Sequence, residues 1–252
     1  MIEHAGPLAG RVAAVTGATG GLGSAICRCL AEAGATVAVA FRQSETAARS
    51  LAESLPGDGH YAIQADVTVS ASLERFAEEL NDRYGTVDVL VNSVGTTRFV
   101  PHGDLAALDD ELIDEIFRTN WRGPFATIRS LRSLLANGQG GLVVNVSSIA
   151  GVSGVGSNVA YCASKAALNV MTVSLARALA PAIRVVSVSP GLVDTEFVQG
   201  LDRAWRDEQV SKTVLGRLAL PDDVGRAVLA AATTLGYSTG CVITVDGGRL
   251  VS

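Results

Sequence analysis

A doubly wound α/β fold, a parallel sheet of about seven strands with helices on both faces, is what this sequence predicts. Three observations carry that reading. Short apolar segments alternate with longer amphipathic ones from end to end. Most of the short segments are continuous apolar runs, as expected of strands buried between two helical layers. Glycine is abundant, 27 of 252 residues, while aromatics make up only 5%, which suits tight strand-to-helix turns and close backbone packing.

The elements follow in order. A strand over 11–16 leads through a Gly-rich turn into a helix that runs to about Ala33 and is stopped by Gly34. Strands over 36–41 and 61–64 flank a helix near 46–54. A helix over 73–84 sets Leu73, Phe76, Ala77, Leu80 and Tyr84 on one face. A strand over 87–91 precedes a long helical region over about 109–136, with a bend expected near Gly123-Pro124. Strands over 141–146, 183–188 and 242–245 alternate with helices over about 158–180 and 222–235. No linker or internal repeat divides the 252 residues, so one domain is expected, with a lid over about 195–214. The lid carries Phe197, Val198, Leu201, Trp205 and Val210 among charged residues, a composition suited to a mobile cover with an apolar underside.

Charge and composition narrow the partners. A net charge of −5 without a basic stretch argues against nucleic acid. Residues 1–7 lack the cationic and apolar regions of a signal peptide, and no apolar run is read as reaching the ~20 residues that span a bilayer, so a cytoplasmic, membrane-free protein is expected. Cys27, Cys29, Cys162 and Cys241 have no metal-ligand spacing and read as free thiols, so no metal is expected. His4, His60 and His102 share no motif.

The turn Thr16-Gly17-Ala18-Thr19-Gly20-Gly21-Leu22-Gly23 sits where the first strand meets the first helix. Glycines there let the backbone pass close to a pyrophosphate, and free N–H groups at the helix start favour anions, as in a Rossmann-type dinucleotide site. The end of the second strand, Val39-Ala40-Phe41-Arg42-Gln43, has no acid to bond a ribose 2′-hydroxyl, and Arg42 suits a 2′-phosphate. NADP(H) is therefore expected over NAD(H). Further along, Tyr161 and Lys165 stand four apart on one helix face, about 5–6 Å between Cβ atoms. A phenol of ordinary pKa ~10 needs a nearby cation to exchange protons at neutral pH, and a drop of about 3 units corresponds to roughly 4 kcal/mol. Ser147 and Ser148 end the fifth strand and point to opposite sides; either hydroxyl could polarise a substrate oxygen.

These motifs, from Leu8 to about Leu250, resemble the short-chain dehydrogenase/reductase family, and within it 3-oxoacyl-[acyl-carrier-protein] reductases and similar ketoreductases. The glycine turn resembles T-G-x-x-x-G-x-G, and Asn92-Ser93-Val94-Gly95 resembles N-N-A-G. Asp66-Val67 resembles the pair that holds the adenine, and Pro190-Gly191-Leu192-Val193-Asp194-Thr195 the stretch beside the nicotinamide. Asp246-Gly247-Gly248 matches the usual ending. The resemblance selects Ser148 over Ser147 and places Asn120, Ser148, Tyr161 and Lys165 as catalytic residues. It implies that Lys165 also bonds the nicotinamide ribose and that Asn120 holds a water completing a proton relay. The cofactor set it implies is Gly17, Ala18, Thr19, Gly20, Gly21, Leu22, Gly23, Arg42, Asp66, Val67, Asn92, Gly95, Tyr161, Lys165, Pro190, Gly191, Val193 and Thr195. Three departures stand out: Ser93-Val94 for Asn-Ala, Gly20 where many NADP users carry a cation, and Val186 where Asn is common. The implied activity is reduction of a small carbonyl substrate, an acyl thioester among the options, by a homotetramer. Leu168, Met171 and Leu175 are the residues expected to reach beyond the subunit. An NAD-dependent alcohol or hydroxysteroid dehydrogenase and a non-catalytic nucleotide-binding protein are the other readings.

Overall fold

All strands run parallel, in the order β3-β2-β1-β4-β5-β6-β7. This arrangement is seen in a computed structural model that describes residues 6–137, 140–200 and 202–251. The strands are β1 (Val12–Thr16), β2 (Thr36–Phe41), β3 (Tyr61–Gln64), β4 (Val89–Asn92), β5 (Gly141–Val146), β6 (Ile183–Pro190) and β7 (Val242–Val245). The helices are α1 (Gly21–Glu32), α2 (Glu45–Ser54), α3 (Ser70–Tyr84), α4 (Asp110–Phe117), α5 (Gly123–Ala136), α6 (Ala150–Ser153), α7 (Val159–Leu179), α8 (Glu196–Gln199), α9 (Arg203–Ser211) and α10 (Pro221–Thr233). Strands β1, β4 and β5 are buried along their length, as continuous apolar runs require.

Two apolar layers sandwich the sheet. Ile26 and Leu30 of α1, Ala48 of α2 and Val224 and Val228 of α10 pack with Val15, Val39 and Val144 on one face. Phe76 of α3, Leu131 of α5 and Leu168 of α7 pack with Ala14, Leu90 and Val143 on the other. Strand order reverses between β1 and β4, so the crevice beyond their C-terminal ends lies at the switch point, where open α/β sheets bind ligands.

The sequence reading departs from the structure in identifiable places. The long helix expected over 109–136 is two helices joined by a π-helical turn, Arg118–Arg122. Pro124 has no N–H to give the carbonyl of Asn120 four residues back, so the α-helical ladder cannot run through this point. Helices α6, α8 and α9 occupy stretches read as loop and lid. Leu168 and Met171 are buried and Leu175 packs against the same core layer, so none of the three reaches outward; Val159, Val170 and Val173 are the exposed valines of α7. That helix, 21 residues with an 18-residue stretch of mean hydropathy 1.3, is long and apolar enough to cross a membrane by length and composition, contrary to expectation. Here it packs against β6, with its own Thr172 buried at the contact. His4, Leu201 and the side chain of Phe197 lie outside the described residues.

Candidate active site

The glycine turn is shaped by backbone, not by side chains. Gly17 has φ +67°, and a Cβ there would stand 2.9 Å from the carbonyl oxygen of Ser93. A Cβ on Gly23 would stand 2.1 Å from the carbonyl oxygen of Gly17. The turn therefore closes tightly over the ends of β1 and β4, and Ala18 is buried beneath it. Thr19, Gly20 and Gly21 are exposed, Leu22 packs against the core, and no side chain caps the start of α1. The N–H groups of its first turn are left to a ligand.

Around this turn stand the other dinucleotide candidates. Arg42 is exposed just past β2. Burial alone would raise the Asp66 carboxyl, but hydrogen bonds from Thr68 (backbone N–H 2.9 Å, hydroxyl 2.6 Å) and the Arg42 charge outweigh it and hold it below the usual range. Val67 is buried against Gly123, where a Cβ would meet its methyl at 2.8 Å. Gly95 is exposed, and a Cβ there would be in van der Waals contact with Lys165 Nζ and Asn120 Oδ1, each 3.7 Å away. Gly191 lies against Asp246, Val193 is buried beside Ala219, and the Thr195 methyl comes within 3.4 Å of a Cβ on Gly21. The stretch after β6 thus reaches across to the glycine turn. Asn92 Oδ1, Ser93 Oγ and Ser189 Oγ are buried without partners. A crevice lined by bare backbone at the glycine turn fits the pyrophosphate of an extended dinucleotide.

The titrating groups meet where β5, the π-helical turn and α7 converge. Ser147 and Ser148 part as strand alternation requires: Ser147 Oγ donates to the Lys165 carbonyl (3.2 Å), whereas Ser148 stands close enough to the Tyr161 phenol to favour its ionised form. Ser148 Oγ also accepts from the N–H of Ala150 (3.2 Å), which orients it. Lys165 is buried, its Nζ donates to the Val146 carbonyl (2.9 Å), and it lies 5.8 Å from the centre of the Tyr161 ring. Asn120 is fully buried; its amide donates to the Thr96 carbonyl (3.0 Å) and Ser164 Oγ (3.1 Å), and its Oδ1 accepts from the N–H of Thr96 (2.8 Å). All four sequence candidates are brought together.

Burial sets the protonation of this group. It pushes the Tyr161 phenol above its ordinary value, against a smaller downward pull from Ser148. It pushes the Lys165 ammonium down to about 8. In the free protein desolvation acts on both groups and favours their neutral forms; the lowering of Tyr161 expected from Lys165 together with an oxidised nicotinamide belongs to the cofactor-bound state.

Reading the sequence did not single out three further contacts. Ser164 donates to the Tyr161 carbonyl (2.8 Å) and accepts from Asn120. Asn158 caps α7 by accepting from the N–H of Tyr161 (2.7 Å) and donates to the Arg98 carbonyl (2.7 Å). Ser147 is the third. Asn158 preceding an apolar helical run was a legible cap signal. A second signal lay in composition: only two of the 20 basic residues are lysines, so Lys165 departs from a strong arginine habit at the place where a shiftable ammonium is useful.

A family model described as enoyl-(acyl carrier protein) reductase matches residues 17–249. A protein described as ketoacyl reductase 2 of the granaticin polyketide synthase, from Streptomyces violaceoruber, is 40% identical over 94% of this chain and 95% of its own. The chain belongs to the short-chain dehydrogenase/reductase family. A 3-oxoacyl-[acyl-carrier-protein] reductase of Thermotoga maritima is 34% identical over 97% of this chain and 99% of its own. A solved structure described as a short-chain dehydrogenase/reductase of Burkholderia xenovorans matches with a TM-score of 0.88 at 31% identity, covering 96% of this chain and 98% of its own. For a member of this family the Rossmann-type sheet and its crevice are the expected frame.

Holding Lys165 charged at neutral pH costs the fold stability. A pKa lowered from 10.5 to about 8 corresponds to roughly 3 kcal/mol. Between those values the unfolded chain keeps the proton that the folded chain has lost, so stability rises with pH across that window. Lys165→Met is expected to raise the Tm at pH 7 by several degrees, with the gain over the unsubstituted protein shrinking between pH 8 and 10.5. Calorimetry showing a lower Tm at pH 7 would refute this origin of the shift.

Proposed function

We propose that this protein is an NADP-dependent ketoreductase of 3-oxoacyl type, with Tyr161 as general acid and base. The observation that carries the reading is the convergence of the Ser148 and Tyr161 hydroxyls beside a buried Lys165. Two hydroxyls on one spot suit a single oxygen that is a carbonyl in one direction and an alcohol in the other. A bound nicotinamide dinucleotide would supply or accept the hydride. In reduction Tyr161, protonated at neutral pH, gives its proton to the substrate oxygen while Ser148 orients that oxygen. In oxidation the phenol must lose its proton, and the Lys165 charge favours that state. Asn120 has its side chain engaged, so the relay water would sit on its main-chain carbonyl, which Pro124 leaves without an α-helical donor.

The substrate class follows from what surrounds the hydroxyls. The loop after β4 is tied to the loop before α7 by the N–H of Val100 on the Ser157 carbonyl (2.8 Å) and by Thr97 on Ser157 (2.5 Å). These loops and α6 expose Phe99, Val152 and Val155, the first at 76%. An apolar rim beside the reacting groups favours a substrate with an apolar chain, as the ketoacyl and 3-oxoacyl relatives suggest. The homotetramer implied by resemblance would cover the exposed valines of α7; light scattering giving the mass of one chain would contradict it.

NADPH oxidation across acetoacetyl thioesters and cyclic and aromatic ketones tests the activity. Turnover is expected to fall by several orders of magnitude in Tyr161→Phe with NADPH binding retained. Near-normal turnover of that variant would end the assignment. For the nucleotide, kcat/KM with NADPH is expected to exceed that with NADH by at least ~10-fold, and Arg42→Ala to erase most of the difference. Equal use of both cofactors by the unsubstituted protein would overturn the NADP reading.

A further inference from the structure

Below the reacting groups a row of polar side chains crosses the core. Asn92 on β4, Asn145 on β5 and Ser187 on β6 are register partners on adjacent strands, so their side chains share the sheet face covered by α7. All are buried: Asn92 Nδ2 donates to Asn145 Oδ1 (2.9 Å), and Asn145 Nδ2 donates to Thr172 Oγ1 (3.0 Å). Thr172 in turn gives its only hydroxyl proton to the Leu168 carbonyl (3.0 Å). The 2.8 Å contact between Thr172 Oγ1 and Ser187 Oγ therefore has Ser187 as donor. The Thr172 hydroxyl gives one hydrogen bond and takes two, which uses it completely.

Apolar packing and directional bonds share the task of fixing α7 along its axis. Leu168 and Met171 are buried in the layer beneath the helix and Leu175 and Leu179 pack against it, while Ser164, Thr172 and Ala176 keep the approach close. Buried hydrogen bonds add a register that apolar contact, being non-directional, does not specify by itself. Ser147 on the Lys165 carbonyl and Lys165 on the Val146 carbonyl are the upper bonds of the same seam.

We propose that Thr172, held by Asn145 and Ser187, is a positioning residue: it sets the register of α7 on β5 and β6 and so places Tyr161 against Ser148. It touches none of the reacting groups and acts only through the helix. The inference rests on the proposed ketoreductase reading for its kinetic readout, but the placement itself can be observed without turnover.

The test compares Thr172→Val, which keeps the shape and loses the hydroxyl, with Thr172→Ser, which keeps the hydroxyl. Thr172→Val is expected to lower kcat for carbonyl reduction by roughly 10- to 100-fold, with KM for NADPH changed less than about 2-fold. Thr172→Ser should recover kcat to within about 3-fold of the unsubstituted protein. A crystal structure of Thr172→Val should show α7 shifted and Tyr161 displaced from Ser148. If Thr172→Val does not fold, Ser187→Ala, which removes one of the two accepted bonds, should lower kcat about 3-fold with the same unchanged KM. A variant that loses thermal stability but keeps kcat, with Tyr161 still placed against Ser148, overturns the proposal. If the unsubstituted protein reduces no carbonyl, the functional reading fails, and the crystal structure of Thr172→Val still decides whether Thr172 sets the helix.

Discussion

The buried ammonium of Lys165, held on the Val146 carbonyl at the end of β5, is the interaction on which the rest of the site depends. A lone cation in a dry place is expensive, and nothing in the fold requires a cation there. Its cost becomes intelligible once Tyr161 has to part with a proton one helical turn away. The surrounding structure serves that placement: β5 supplies the carbonyl, Ser147 grips the helix backbone, Asn158 caps its start, and Asn120 with Ser164 braces it from the side.

Burial nevertheless works against the proton transfer. In the free protein desolvation raises Tyr161 and lowers Lys165, so both neutral forms are favoured. In the proposed mechanism, the pair becomes poised only when an oxidised nicotinamide adds its positive charge beside the phenol. Binding and chemistry are then linked by one electrostatic requirement, and proton exchange without cofactor is suppressed.

Much of this was legible in the sequence, for stated physical reasons. Strands β2, β3, β5 and β7 fall where short apolar runs place them; β2 and β5 owe that pattern to burial along nearly their whole length. The Tyr161–Lys165 spacing and the glycine turn are local, and local geometry survives folding. What escaped was non-local or a contest between local rules. The break at Arg118–Arg122 comes from a missing N–H at Pro124, and the bend was anticipated but not its π-helical form. Leu168 and Met171 were assigned outward because periodicity could not tell which face of an apolar-all-round helix meets the sheet. Helices α8 and α9 within the stretch read as a mobile cover were not foreseen, nor were Arg206 on Asp194 (2.9 Å) and Arg249 on Gln209 (2.7 Å), contacts between residues 12 and 40 positions apart. Ser148 was separable from Ser147 only by resemblance until the structure showed which one meets the phenol.

The most direct test of the account is the titration of Tyr161 itself, followed by NMR of protein carrying ¹³C at the tyrosine ζ position and assigned with Tyr161→Phe. In the free protein the Tyr161 signal should titrate above the ordinary phenol value of ~10, as burial dictates. With NADP⁺ bound it should titrate well below ~10, because Lys165 and the nicotinamide then both favour the phenolate. A Tyr161 signal that titrates at the same pH with and without NADP⁺ would contradict the account.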